Sequence, residues 1–123
     1  MRGWRNLIIG LIAIGGMLGA AHAAPAASDF TVKDISDECA SKNPSEELMC
    51  WNYFMGLMNG LEAASSLYGA EVPICYPPSG LSIGDMILAF RLWASTHPEA
   101  SQDGATYRII TSLVERFPCP NKS

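Results

Sequence analysis

The sequence predicts a small all-α domain of four helices stapled by two disulfides. Three observations carry this. Apolar residues recur with helical spacing in stretch after stretch, each behind a cap signal, and nothing alternates with period two for the length of a strand. All four cysteines, Cys39, Cys50, Cys75 and Cys119, lie behind a segment that reads as an export signal. The chain has 123 residues, enough for one domain and too few for two.

The export signal occupies residues 1–23. Arg2 and Arg5 make a short basic start, residues 7–20 form an apolar run, and Ala21-His22-Ala23 offers the small residues that a signal peptidase reads. The run is shorter than the roughly 20 residues of a spanning helix, so cleavage after Ala23 is preferred over anchoring. No second run of spanning length follows, and the mature protein is expected to leave the membrane. Residues 24–29 read as a flexible leader, and residues 30–119 as the folded domain.

Thr31 and Asp34 form a capping box for the first helix, with Phe30 and Ile35 placed as a hydrophobic staple. Asn43 followed by Pro44, with Glu46 two residues further on, opens a second helix that runs to about Tyr68. Leu48, Trp51, Phe54, Met55, Leu57, Met58 and Leu61 make that helix apolar on more than one face, which predicts that it is the central one. Gly56 and Gly60 share a face of it at about 1 kcal/mol each against Ala. Their spacing predicts a close approach of a neighbouring helix; the alternative is a recognition surface.

Ser82 and Asp85 open the third helix, with Leu81 and Met86 as its staple. Its stripe is Ile83, Met86, Ile87, Phe90, Trp93 and Ala94, and Pro98 ends it near His97. Asp103 is the expected N-cap of the fourth helix. That helix carries Ala105, Ile109, Ile110, Leu113, Val114 and Phe117 before Pro118.

An even set of cysteines in a small exported domain implies two disulfides. If the helices run up and down with short loops, Cys39 meets Cys50, and Cys75 meets Cys119. Zinc is disfavoured, because no two cysteines are spaced as C-x₂₋₄-C and only His97 survives processing. His97 reads as a helix C-cap or dipole partner.

Charge narrows the partners. The whole chain holds eight Lys and Arg against twelve Asp and Glu; losing Arg2 and Arg5 leaves six against twelve, a net of −6. Such a domain lacks the footprint for nucleic acid or for an anionic membrane, and its natural complement is a basic protein surface. There is no Gly-rich phosphate loop, Gly-x-Ser-x-Gly elbow or His-Glu-x-x-His helix, so an enzyme is the least supported class and no cofactor or metal is expected.

The segment Cys50-Trp51-Asn52-Tyr53-Phe54-Met55-Gly56-Leu57-Met58-Asn59-Gly60 resembles the Cys-x-Gly-Tyr-φ-x-Gly-φ-x-Asp-Gly helix (φ apolar) of the Rap/Tai immunity proteins. The resemblance continues through Ile74-Cys75-Tyr76-Pro77, the helix from Ser82 to His97-Pro98-Glu99, and Phe117-Pro118-Cys119. It covers about residues 30–119. The sequence departs from the pattern at Asn52, at Asn59 and in Tyr76-Pro77-Pro78.

The resemblance implies a periplasmic, helical, disulfide-bonded protein with an HdeA-like fold. Such a protein binds a peptidoglycan amidase effector of type VI secretion, occludes its catalytic cleft, and often acts as a homodimer. The competing readings are an HdeA-like acid-stress chaperone and an envelope protein without a toxin partner. The expected contact elements are the loops 76–81, with Tyr76, Pro77 and Pro78, and 98–103, with Glu99, Gln102 and Asp103. The plain alternative is that both loops are solvated connections and that Tyr76 covers the cystine. The exposed helix faces around Asn52 and Asn59 are the next candidates.

Overall fold

The computed structural model describes residues 30–121; the segments expected to be an export signal (1–23) and a leader (24–29) lie outside the described residues. Four helices follow in order, α1 (Val32–Ala40), α2 (Pro44–Tyr68), α3 (Ile83–Thr96) and α4 (Ala105–Arg116), with a 3₁₀ turn (Pro98–Ala100) between the last two. No strand occurs among the described residues, only the isolated bridges Thr31↔Gly104 and Ile74↔Pro118.

The starts of α1, α2 and α3 follow their caps. Thr31 accepts from the Asp34 N–H while Asp34 accepts back from the Thr31 N–H at 2.9 Å, and Ser82 and Asp85 repeat this at α3. Asn43 Oδ1 accepts from the Ser45 N–H at 2.9 Å, and Pro44 takes the first turn of α2, where its missing donor costs nothing. Gly69, at φ 64°, ends α2 in the left-handed conformation that glycine adopts without strain.

The α4 cap differs from the expectation. Gly104, not Asp103, is the N-cap, and it makes no side-chain hydrogen bond. Non-local backbone replaces it: the Ala105 N–H donates to the Phe30 carbonyl at 2.6 Å, and the Val32 N–H donates to the Asp103 carbonyl at 2.9 Å. One short ladder thereby satisfies the first turns of α1 and α4 together.

Each helix sends fully buried side chains to one core: Ile35 from α1, Phe54 from α2, Phe90 from α3, and Ile109 and Leu113 from α4. The Phe54 and Phe90 rings lie 5.8 Å apart in a tilted arrangement. Helices α1 and α3 each pack against both α2 and α4. The inner positions therefore belong to α1 and α3, which corrects the expectation that α2 is central. Only Cys50 and Phe54 of α2 are buried, whereas Leu48, Met49, Trp51 and Met55 are exposed. Length is one reason: 25 residues make α2 about 37 Å long, far longer than the nine-residue α1 beside it. Gly56 and Gly60 face open space, with nothing within 4 Å of a Cβ added at either, so no neighbouring helix approaches there.

The disulfides are Cys39–Cys50 and Cys75–Cys119, the pairing that the up-and-down order predicts.

The capping carboxylates give the fold an acid limit. The Thr31 hydroxyl and then its N–H hold Asp34 below the ordinary value of 3.8, and Ser82 does the same for Asp85. A carboxylate depressed in the folded state stabilises above its unfolded value, and that contribution is lost as pH falls through the folded one. Glu38, raised first by partial burial and then by Glu46 and Asp34, acts with the opposite sign. Urea midpoints should therefore fall as pH drops through the carboxylate range, and the combined Asp34→Asn and Asp85→Asn variant should fall less steeply. An equal slope in the variant would mean that other groups set the acid limit.

Candidate partner-binding surface

The turn after Cys75 is built from its residue types. Pro78 and Ser79 occupy the two central positions, and the Gly80 N–H closes the turn on the Pro77 carbonyl at 2.8 Å, with Gly80 itself at φ 83°. On its N-terminal side the disulfide to Cys119, the Cys75 N–H bond to the Phe117 carbonyl at 2.9 Å and the Ile74↔Pro118 bridge fix the chain to the end of α4. Tyr76 projects from this anchor 55% exposed, beside a half-buried Pro77 and an exposed Pro78. Cys75 is itself exposed, so Tyr76 does not bury the cystine. A side chain held this way loses little freedom on meeting a partner.

The turn forms a ridge between two depressions. On the α2 side is a groove of about 660 Å³ lined by Met58, Leu61, Val72, Ile74, Leu81 and Met86, with Glu62, Ser65, Ser66, Tyr76 and Gly80 at its edge. On the α3 side is a smaller hollow of about 210 Å³, where Pro77 meets the exposed Leu88 and Leu92 and the guanidinium-bearing Arg116.

The second predicted loop is a rigid corner at the other end of α3. His97 is the C-cap of α3: its Nδ1 lies 2.8 Å from the Trp93 carbonyl, and its ring stacks on the Trp93 indole at 4.2 Å. Ala100 is buried, and the Lys33 N–H donates to the Ser101 carbonyl at 2.9 Å, which ties the corner to α1. The Asp103 carboxylate accepts from Arg108, with Nε at 2.8 Å, and the Arg108 guanidinium lies over both Trp93 and Tyr107. Asp103 is thus engaged inside the fold, while Glu99 and Gln102 are exposed. Sequence spacing missed this Trp93–Arg108–Tyr107 stack; the only local sign was an Arg five residues after Asp103.

The structure therefore gathers Tyr76, Pro77 and Pro78 into one ridge, and Glu99, Gln102 and Asp103 into a separate corner. The fourteen residues of α3 put about 20 Å between them. A standard interface of roughly 800 Å² per partner is a disc about 30 Å across, wide enough to take in both ends of α3. The face of α2 with Asn52 and Asn59 is exposed and carries Leu48, Trp51 and Met55.

Among the described residues no group of three or more His, Cys, Asp or Glu is placed to hold a metal ion, and no helix is long and apolar enough to cross a membrane. The model of the family described as Rap1a immunity proteins matches residues 31–119. No curated protein and no solved structure matches the chain.

Proposed function

Because the chain belongs to the Rap1a immunity protein family, we propose that it is exported to the periplasm, binds a peptidoglycan amidase effector of type VI secretion, and blocks the effector's catalytic cleft. The observation that carries this is the extent of the match: residues 31–119 take in all four helices and both disulfides. The protein is an immunity protein against a secreted effector and acts as a non-catalytic inhibitor. Its mature form starts at Ala24, after cleavage of residues 1–23, and contains no free thiol.

The fold supports occlusion in two ways. Tyr76 stands on a ridge anchored by a disulfide and a closed turn, so it enters a cleft with its ordering cost already met. An excess of carboxylates steers encounter with a basic cleft. Tyr76, Pro77 and Pro78 form the inserted element; Glu99 and Gln102 are contacts further out, and Asp103 holds their corner through Arg108.

The test is a titration of the oxidised mature protein into a purified cell-wall amidase, the first candidate being any amidase encoded in an adjacent reading frame. Hydrolysis of purified peptidoglycan is expected to fall as the inhibitor is added and to approach zero at a large molar excess.

A further inference from the structure

Residues 43–90 contain five carboxylates, Glu46, Glu47, Glu62, Glu71 and Asp85, and no Lys, Arg or His. The groove on the α2 side of the Tyr76 ridge is lined entirely from within this cation-free stretch. Its floor is apolar, with Ile74 and Met86 buried and Met58, Leu61, Val72 and Leu81 half-buried. Its edge carries Tyr76 and Glu62, both exposed.

We infer that this groove receives a segment of the effector that presents apolar side chains flanked by Lys or Arg. The inference rests on the effector-binding reading above and deepens it: the Tyr76 ridge enters the effector, and the groove behind the ridge takes a piece of the effector in return. Three observations select this occupant. The one carboxylate lining the groove is Glu62, no Lys, Arg or His lines it, and the nearest charge along the connector is Glu71, next to Val72, so the local field favours a cation. The floor offers apolar area, and Met58 and Met86 adapt to irregular side chains. Glu62, Ser65, Ser66, Tyr76 and Gly80 leave one side open to solvent, which suits a chain segment lying across the groove better than an enclosed small molecule.

The experiment measures binding of the oxidised mature protein to that candidate amidase, for wild type and three variants. Ser65→Trp fills the groove from an exposed position and is expected to weaken binding roughly 30-fold, the size of a lost hot spot. Glu62→Lys is expected to weaken it about tenfold, mainly through slower association, with the loss shrinking at high salt. Glu47→Lys makes the same charge change at an exposed position in the first turn of α2, about 22 Å along the helix from Glu62, and is expected to cost much less than Glu62→Lys. Melting curves establish that each variant is folded. Wild-type affinity in both Ser65→Trp and Glu62→Lys overturns the inference and leaves the effector-binding reading standing. Equal losses in Glu62→Lys and Glu47→Lys, with Ser65→Trp unaffected, also overturn it, since net charge alone would then be at work. A wild-type protein that fails to bind the amidase at all overturns the functional reading and this inference together.

Discussion

Replacing Cys75 and Cys119 together by Ser is expected to destabilise the domain by about 4 kcal/mol, and replacing Cys39 and Cys50 by about 3 kcal/mol. The difference follows from loop length. The two bridges close 44 and 11 residues of chain, and the entropy removed from the unfolded state grows with the logarithm of that number. A second effect has the same sign. The Cys75–Cys119 bridge holds the connector whose Ile74 floors the groove and whose Cys75 N–H pairs with Phe117, so its loss also frees local structure. The shorter bridge joins α1 to α2, which already pack on each other. Urea unfolding of the two double variants beside wild type measures both losses. Equal losses, or the reverse order, would show that native packing around Cys39 and Cys50 outweighs loop closure.

Tyr76→Ala is expected to weaken effector binding by about 2 kcal/mol or more, the loss that marks a central anchor, and Glu99→Ala by less, as for a rim residue. The structure sharpens this comparison. Tyr76 is an exposed aromatic on a disulfide-anchored turn, whereas Glu99 is a solvated carboxylate in the corner at the other end of α3. Asp103→Ala is expected to act differently from both. It strips Arg108 of its carboxylate partner and loosens the corner, so its effect should register in melting temperature as well as in affinity. Calorimetry of single variants and of the combined Glu99, Gln102 and Asp103 alanine variant separates these cases. If neither Tyr76→Ala nor the combined variant weakens binding, the two loops are not the interface. The exposed face of α2 around Asn52 and Asn59, with Trp51 and Met55, then becomes the leading surface.

The parts of this fold that were legible in the sequence are those set by short-range chemistry. Thr31 with Asp34, Asn43 with Pro44, and Ser82 with Asp85 each satisfy donors within a few residues, so the pattern alone locates the helix starts. The disulfide pairing was legible because helix direction decides which chain ends meet.

What the sequence misplaced depends on neighbours distant along the chain. An apolar side chain on α2 looks the same in a sequence whether another helix covers it or not. Leu48, Trp51 and Met55 therefore read as core, and Gly56 and Gly60 as a helix crossing, although all five positions are exposed. Asp103 read as a cap because it precedes α4, but the donor it would have satisfied belongs to the Phe30 carbonyl. Of the candidate site, the Tyr76 ridge was legible from Pro77, Pro78 and Gly80. The groove behind it was not, since Met58, Ile74 and Met86 meet only when α2, the connector and α3 come together.

Steady-state inhibition of the candidate amidase, at several peptidoglycan concentrations and fixed amounts of the oxidised mature protein, tests the central claim most directly. Occlusion of the catalytic cleft predicts that the apparent KM rises with inhibitor while kcat stays constant. Undiminished hydrolysis at a molar excess of the protein would contradict the immunity reading. A fall in kcat at unchanged KM would contradict occlusion of the cleft.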